Sequence, residues 1–100
     1  MIRHTVLFAL EGFPSEEAKK EQLQQIKQAL EALPAAIDAL LSMKVYINCN
    51  PEEPYDFLLE ATLASMEELP LYAEHPRHQQ VVAELIKPYM KLRAAIDCTL

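Results

Sequence analysis

The sequence predicts an α+β fold, a four-stranded antiparallel sheet with helices on one face, built in the order β-α-β-β-α-β. Four stretches alternate apolar and polar side chains at the two-residue period of a strand, and two others repeat apolar residues at helical spacing. The single glycine and most of the seven prolines punctuate the boundaries. With the right-handed crossover rule, this order folds into the spatial strand order 4-1-3-2.

Residues 2–10, Ile-Arg-His-Thr-Val-Leu-Phe-Ala-Leu, form the first strand, closed by Gly12 and Pro14. Ser15 is the expected N-cap of the first helix, with Glu16 and Glu17 complementing its positive end. Leu23, Ile26, Leu30 and Leu33 form the buried stripe and Pro34 stops it, while Lys20, Gln24, Lys27, Gln28 and Glu31 mark the opposite face. Residues 35–41 read as a turn or loose helical segment under the next strand.

Met43, Val45, Ile47 and Cys49 alternate with Lys44, Tyr46 and Asn48 as a half-buried second strand. A loop with Pro51 and Pro54 leads to the third, residues 55–63, with Phe57, Leu59, Ala61 and Leu63 on one side. Ser65 and Glu68 have capping-box spacing and open a second helical region. Pro70 weakens that helix, and Pro76 biases His75 away from the α region, so a fresh turn starts there. The final helix is expected to reach about Lys87, burying Val81, Val82, Leu85 and Ile86, before Pro88 ends or kinks it. Residues 92–100 close the chain as a fourth strand, Leu92, Ala94, Ile96, Cys98 and Leu100 alternating with Arg93, Ala95, Asp97 and Thr99.

One hundred residues, half of them apolar, fit a single domain spanning 1–100. The net charge of −6, with basic residues scattered beside acids, excludes nucleic acid and anionic membranes as expected partners. No apolar run approaches a membrane span, and the opening Met1-Ile2-Arg3-His4 lacks a secretory signal's pattern, so a cytoplasmic location is expected. Cys49 and Cys98 are expected to be reduced, half-buried and on opposite sheet edges, with no zinc or other metal site.

The two central strands are apolar on both sides. Strand one shows Ile2, Val6, Phe8 and Leu10 on one side and Leu7 and Ala9 on the other, and Leu58 backs the apolar row of strand three. A sheet wetted on one face should alternate more cleanly. Helices cover only one face, which leaves ~400–600 Å² of apolar surface, at or above the limit for a monomer. Covering it is worth on the order of 10 kcal/mol per copy before association costs. A two-fold homodimer, sheet against sheet, is therefore expected, with a cavity between sheet and helices or between the sheets.

The chemistry concentrates in Tyr72-Ala-Glu-His75-Pro76-Arg77-His78. His78 shares a helical face with Val82 and Leu85 and points inward, either as a neutral general base or as a core histidine bonded to backbone. The early position of His78 in a helix disfavours its protonation. Tyr72 reads as a hydrogen-bond donor to a developing oxyanion or as an aromatic packed between helix and sheet. His75 is a candidate ligand contact or a cap. His4 is in phase with Val6 and Phe8 and so faces an apolar side of the sheet. Arg93 and Asp97 read as edge or interface polar residues, and Tyr46, Tyr55 and Tyr89 as possible cavity or core residues.

Taken together, Ile2-Arg3-His4-Thr5-Val6-Leu7-Phe8, Tyr55-Asp56-Phe57-Leu58-Leu59, Tyr72-x-x-His75-Pro76-x-His78 and Ile96-Asp97-Cys98-Thr99 resemble the stress-responsive α/β-barrel (Dabb) family over essentially the whole chain. The resemblance implies a ferredoxin-like protomer and a dimeric α+β barrel. It also implies a hydrophobic small-molecule cavity. A plant branch of that family comprises polyketide cyclases that use a Tyr and a His for an intramolecular aldol closure, with no metal or other cofactor. Tyr72 and His78 match that catalytic pair, and His4 matches a further pocket histidine. Phe57 stands where the branch has another histidine, so the expected binding set is His4, Phe57 and His75. Two readings follow: a cofactor-independent acid/base enzyme, or a non-catalytic stress-protective or regulatory ligand-binding dimer. The shared element order also suits RNA-recognition modules and copper chaperones. This acidic chain has neither a basic sheet face with a glycine–aromatic motif nor a C-x-x-C.

Overall fold

The alternation of the first strand sets the architecture, because it assigns one face of the sheet to the helices and the other to the outside. The computed structural model describes residues 1–100. Strands β1 (Ile2–Leu10), β2 (Ser42–Ile47), β3 (Phe57–Leu63) and β4 (Met90–Thr99) form one antiparallel sheet in the order β2-β3-β1-β4. Read from the other edge, this is the 4-1-3-2 order expected from the sequence. Helix α1 (Glu16–Glu31) joins β1 to β2, and the segment between β3 and β4 carries α2 (Leu69–Ala73) and α3 (Pro76–Val81). No helix is long and apolar enough to cross a membrane.

Helix α1 forms where the caps and stripe place it. The Ser15 hydroxyl accepts from the Ala18 amide at 3.1 Å, and Leu23, Ile26 and Leu30 are buried. The chain then tightens into a 3-10 turn, Leu33–Ala35, which starts the loose segment that buries Ile37 and Leu40. Lys27 and Glu31, on the face opposite the buried stripe, clamp β2. The Lys27 ammonium donates to the Val45 carbonyl at 2.6 Å, and the Val45 amide donates to the Glu31 carboxylate at 2.9 Å. That backbone hydrogen bond is the main reason the Glu31 pKa is lowered.

The core unites the α1 stripe with the inward rows of β1, β2 and β3 and with Tyr72 and Ile86, and no residue of β4 belongs to it. Between β1 and β4 the register shifts at Ala9/Leu10, and the Leu10 amide donates to Asp56 at 2.6 Å. Asp56 is held in turn by Lys19 at 2.9 Å.

Three local expectations are corrected. The Ser65–Glu68 capping box does not form, because the Glu68 amide is spent on the Ser65 backbone carbonyl at 3.1 Å in a 3-10 turn, Met66–Glu68. The last helix is not one α-helix to Lys87. It is α-helical to Val81, widens to a π-helix over Val82–Ile86 and tightens to 3-10 over Lys87–Tyr89. Pro88 has no N–H to give to the carbonyl four residues back. Gln22 of α1 donates to the Leu85 carbonyl at 2.9 Å in that irregular stretch. Finally, Cys49 and Cys98 are free as expected but exposed rather than half-buried. Cys49 lies beyond the end of β2, and Cys98 lies on β4, which contributes nothing to the core.

Candidate functional site

The inward row of β1 reads Ile2, His4, Val6, Phe8, and the antiparallel register with β4 places Asp97 opposite His4 and Arg93 opposite Phe8. Residues opposite one another share a sheet face. The polar row of β4, on an edge strand, therefore faces the helices. The His4 ring nitrogen Nδ1 lies 2.6 Å from the Asp97 carboxylate. Because that carboxylate accepts, His4 Nδ1 carries the proton and Nε2 is turned to the other side.

Tyr72 of α2 lies over His4. Its side chain is 1% exposed. Pro76 starts α3 after a break in which the His75 ring caps the new helix, accepting from the Arg77 amide at 3.1 Å. This break turns His78 back onto Tyr72. The Tyr72 and His78 rings are 4.4 Å apart between centroids, and the Tyr72 and His4 rings 6.3 Å. The phenol thus stands between two imidazoles.

His78 Nδ1 donates to the Ala73 carbonyl at 2.9 Å, the only direction that bond allows, so Nε2 of the neutral ring is left as an acceptor. Burial lowers the His78 pKa, and the charges of His4, Arg93 and His75 push the same way against the raising effect of the Ala73 bond. Burial is thus the main influence that disfavours the imidazolium form of His78. The Tyr72 hydroxyl is buried without a hydrogen-bond partner. Burial raises its pKa, partly offset by Arg93, so it is a neutral donor at physiological pH.

These groups border one cavity of about 330 Å³ between sheet and helices. Its wall includes His4, Tyr72, His78 and Arg93, with Val6, Leu30, Leu59, Val82 and Ile86 among the apolar part. The size is at the small end for ligand sites. The π-helix contributes Val82 and Ile86, one turn apart on the cavity side. No group of side chains with metal-binding geometry is present.

Of the five residues singled out, the structure gathers His4, Tyr72 and His78 around this volume. His75 is outside the wall and caps α3. Phe57 stacks on Phe8 at 5.2 Å and borders a separate hollow of about 370 Å³ shared with Tyr46 and Tyr55. Tyr89 stacks on Phe13 at 4.2 Å, so none of those three tyrosines lines the cavity. Sequence reasoning missed Asp97 and Arg93 as site residues. Flush pairing of the first and last strands, Ile2 with Thr99 and Arg3 with Cys98, was the signal that would have found them.

A dimeric, ferredoxin-like protein of unknown function from Bacteroides fragilis is 29% identical, with a TM-score of 0.90 over 99% of this chain and 95% of that one. A dimeric, ferredoxin-like protein of unknown function from Thermobifida fusca is 30% identical, with a TM-score of 0.81 over 99% of this chain and 90% of that one. A hydroxynitrile lyase from Passiflora edulis shares the fold at 15% identity, with a TM-score of 0.78 over 99% of this chain and 92% of that one. No curated protein matches the sequence. Residues 2–100 match the family described as the Stress responsive A/B Barrel Domain, Dabb, and the chain belongs to that family.

Proposed function

We propose that this protein acts as a two-fold dimer, sheet against sheet, whose cavity binds a hydrophobic small molecule and performs acid/base chemistry on it with His78 and Tyr72. The observation that carries this reading is the pairing of a free imidazole acceptor with an unpartnered buried phenol 4.4 Å away, ring to ring, at one cavity. Groups buried without partners cost stability, and such costs concentrate where a ligand completes the bonding.

In this reading His78 Nε2 takes a proton from carbon next to a carbonyl. The electron pair moves into the carbonyl oxygen, and the Tyr72 hydroxyl donates a hydrogen bond to the enolate that forms. That enolate can attack a second carbonyl, which is the polyketide-cyclase-like outcome, after which the proton returns from His78. His4, oriented by Asp97, lies on the far side of the phenol. The Passiflora edulis lyase supports only the point that this fold accommodates carbon–carbon bond chemistry. The dimeric relatives and the uncovered sheet face support the assembly.

The test is carbon-acid exchange. Deuterium uptake at the α-carbon of hydrophobic β-keto compounds in heavy water should be catalysed by the native protein. It should fall about 100-fold or more in His78→Ala and about tenfold in Tyr72→Phe. Exchange unchanged in both variants would remove His78 and Tyr72 from the chemistry, and native exchange no faster than without protein, with the compounds still bound, would leave a ligand-binding dimer without catalysis.

A further inference from the structure

We infer that the cavity selects hydrophobic carboxylic acids, holding the carboxylate at its rim on Arg93 and leaving the Tyr72 hydroxyl to the reacting carbonyl inside. This rests on the reading of the cavity as a small-molecule site and specifies the chemical class it takes. The chain carries a net charge of −6, yet the only side chains of permanent charge in the cavity wall are Lys87 and Arg93, both cationic and both at its exposed rim. Neither takes part in an ion pair: the four in the molecule are Arg3–Glu60, His4–Asp97, Lys19–Asp56 and Lys27–Glu31. The one carboxylate close to the site, Asp97, is spent on His4.

The donors and acceptors do not balance. Tyr72 presents a buried hydroxyl with no partner, and Arg93 presents guanidinium donors with no anion. The charge of Arg93 reaches both Tyr72 and His78, lowering the pKa of each. What the rim lacks is an anionic acceptor for that guanidinium, whose fork a carboxylate meets with its two oxygens. Behind this mouth the wall is apolar apart from the Tyr72–His78 site, with Val6, Leu30, Leu59 and Val82, so the body of the ligand is mainly hydrocarbon.

The experiment is a calorimetric titration of the full chain at neutral pH with octanoate and 4-propylbenzoate, each against its uncharged amide. The acids are expected to bind about tenfold or more tightly than the amides. Arg93→Gln should bring acid affinity down to that of the amide and leave the amide unchanged, while Arg93→Lys should keep part of the preference. Lys87→Gln should weaken acid binding less than Arg93→Gln. Equal binding of acid and amide by the native protein, or a preference that survives Arg93→Gln, overturns the charge selection alone. Binding of neither class overturns the small-molecule site together with it.

Discussion

The two edge strands of the sheet are finished in opposite ways. On β2 the exposed side of the ladder is closed from within the protomer, Val45 giving its amide to Glu31 and taking a hydrogen bond from Lys27. The Val45 side chain itself points into the core and is 1% exposed. On β4 nothing comparable happens. Its inward row is polar, Arg93 and Asp97 facing the helices, and its outward row is apolar, with Leu92 41% and Ile96 59% exposed. This is the reverse of ordinary strand amphipathicity, in which the apolar row faces the helices. The difference teaches that β2 is sealed by its own protomer, whereas β4 is left open on both rows. The inward row of β4 wets the cavity, and its outward row is written for a surface outside the protomer.

The largest expected effect breaks the β4 half of this contrast. Ile96→Lys would place an ammonium on the outward row of each copy, and burying an unpaired charge costs about 3–5 kcal/mol. Sedimentation should show the proposed dimer dissociating at least ~100-fold more readily, since each subunit contributes one such charge. A native protein that sediments as a single 11.4 kDa protomer at micromolar concentration would show that the outward row serves something else.

The β2 half is broken by Glu31→Ala. The Val45 amide then loses its acceptor, with an expected loss of about 1–3 kcal/mol in denaturant unfolding. The effect should be pH-dependent in the native protein. Glu31 has a lowered pKa in the fold, so its contribution is present above the unfolded carboxylate pKa and is lost as pH falls through the folded one. In Glu31→Ala the acid limb of the stability profile should be correspondingly flatter.

This contrast also separates what the sequence made legible from what it did not. The stripe of α1 and the inward rows of β1 and β3 follow from local periodicity, and the strand order from the element order with the right-handed crossover rule. The clamp at Val45 was illegible, because Lys27 and Glu31 sit on the polar face of α1 and only tertiary placement brings them to β2. Asp97 and Arg93 were misplaced for a related reason: their spacing gave a shared face but not which face. That required the register with β1. His4, Tyr72 and His78 were legible as chemistry from residue type and motif. The phenol left unpartnered between two imidazoles is a three-dimensional fact.

A smaller effect sharpens the functional side. Tyr72→Phe removes a buried hydroxyl that has no partner, and the ring keeps its packing. Removing an unsatisfied polar group is expected to stabilise the fold by about 1 kcal/mol, seen as a rise in Tm of several degrees. A loss of stability instead would mean that the hydroxyl is satisfied within the protomer and does not await a ligand.

The smallest effect tests whether the inward row of β4 tunes the site electrostatically. His78 has a pKa below its ordinary 6.5, set first by burial and then, among the neighbouring charges, by His4, Arg93 and His75. Arg93→Gln removes one of the cations that disfavour the imidazolium, so the His78 pKa should rise, as followed by proton NMR of the ring. In the native protein the depressed value means that the unfolded chain binds more protons than the fold between the two pKa values. Stability from this residue is therefore complete above the unfolded pKa and lost as pH falls through the folded one. A general base needs the neutral ring, so activity should fall over the same acid range, and in Arg93→Gln that fall should begin at higher pH. An unmoved His78 titration in this variant would confine Arg93 to contacts with ligand and remove β4 from the tuning of the base.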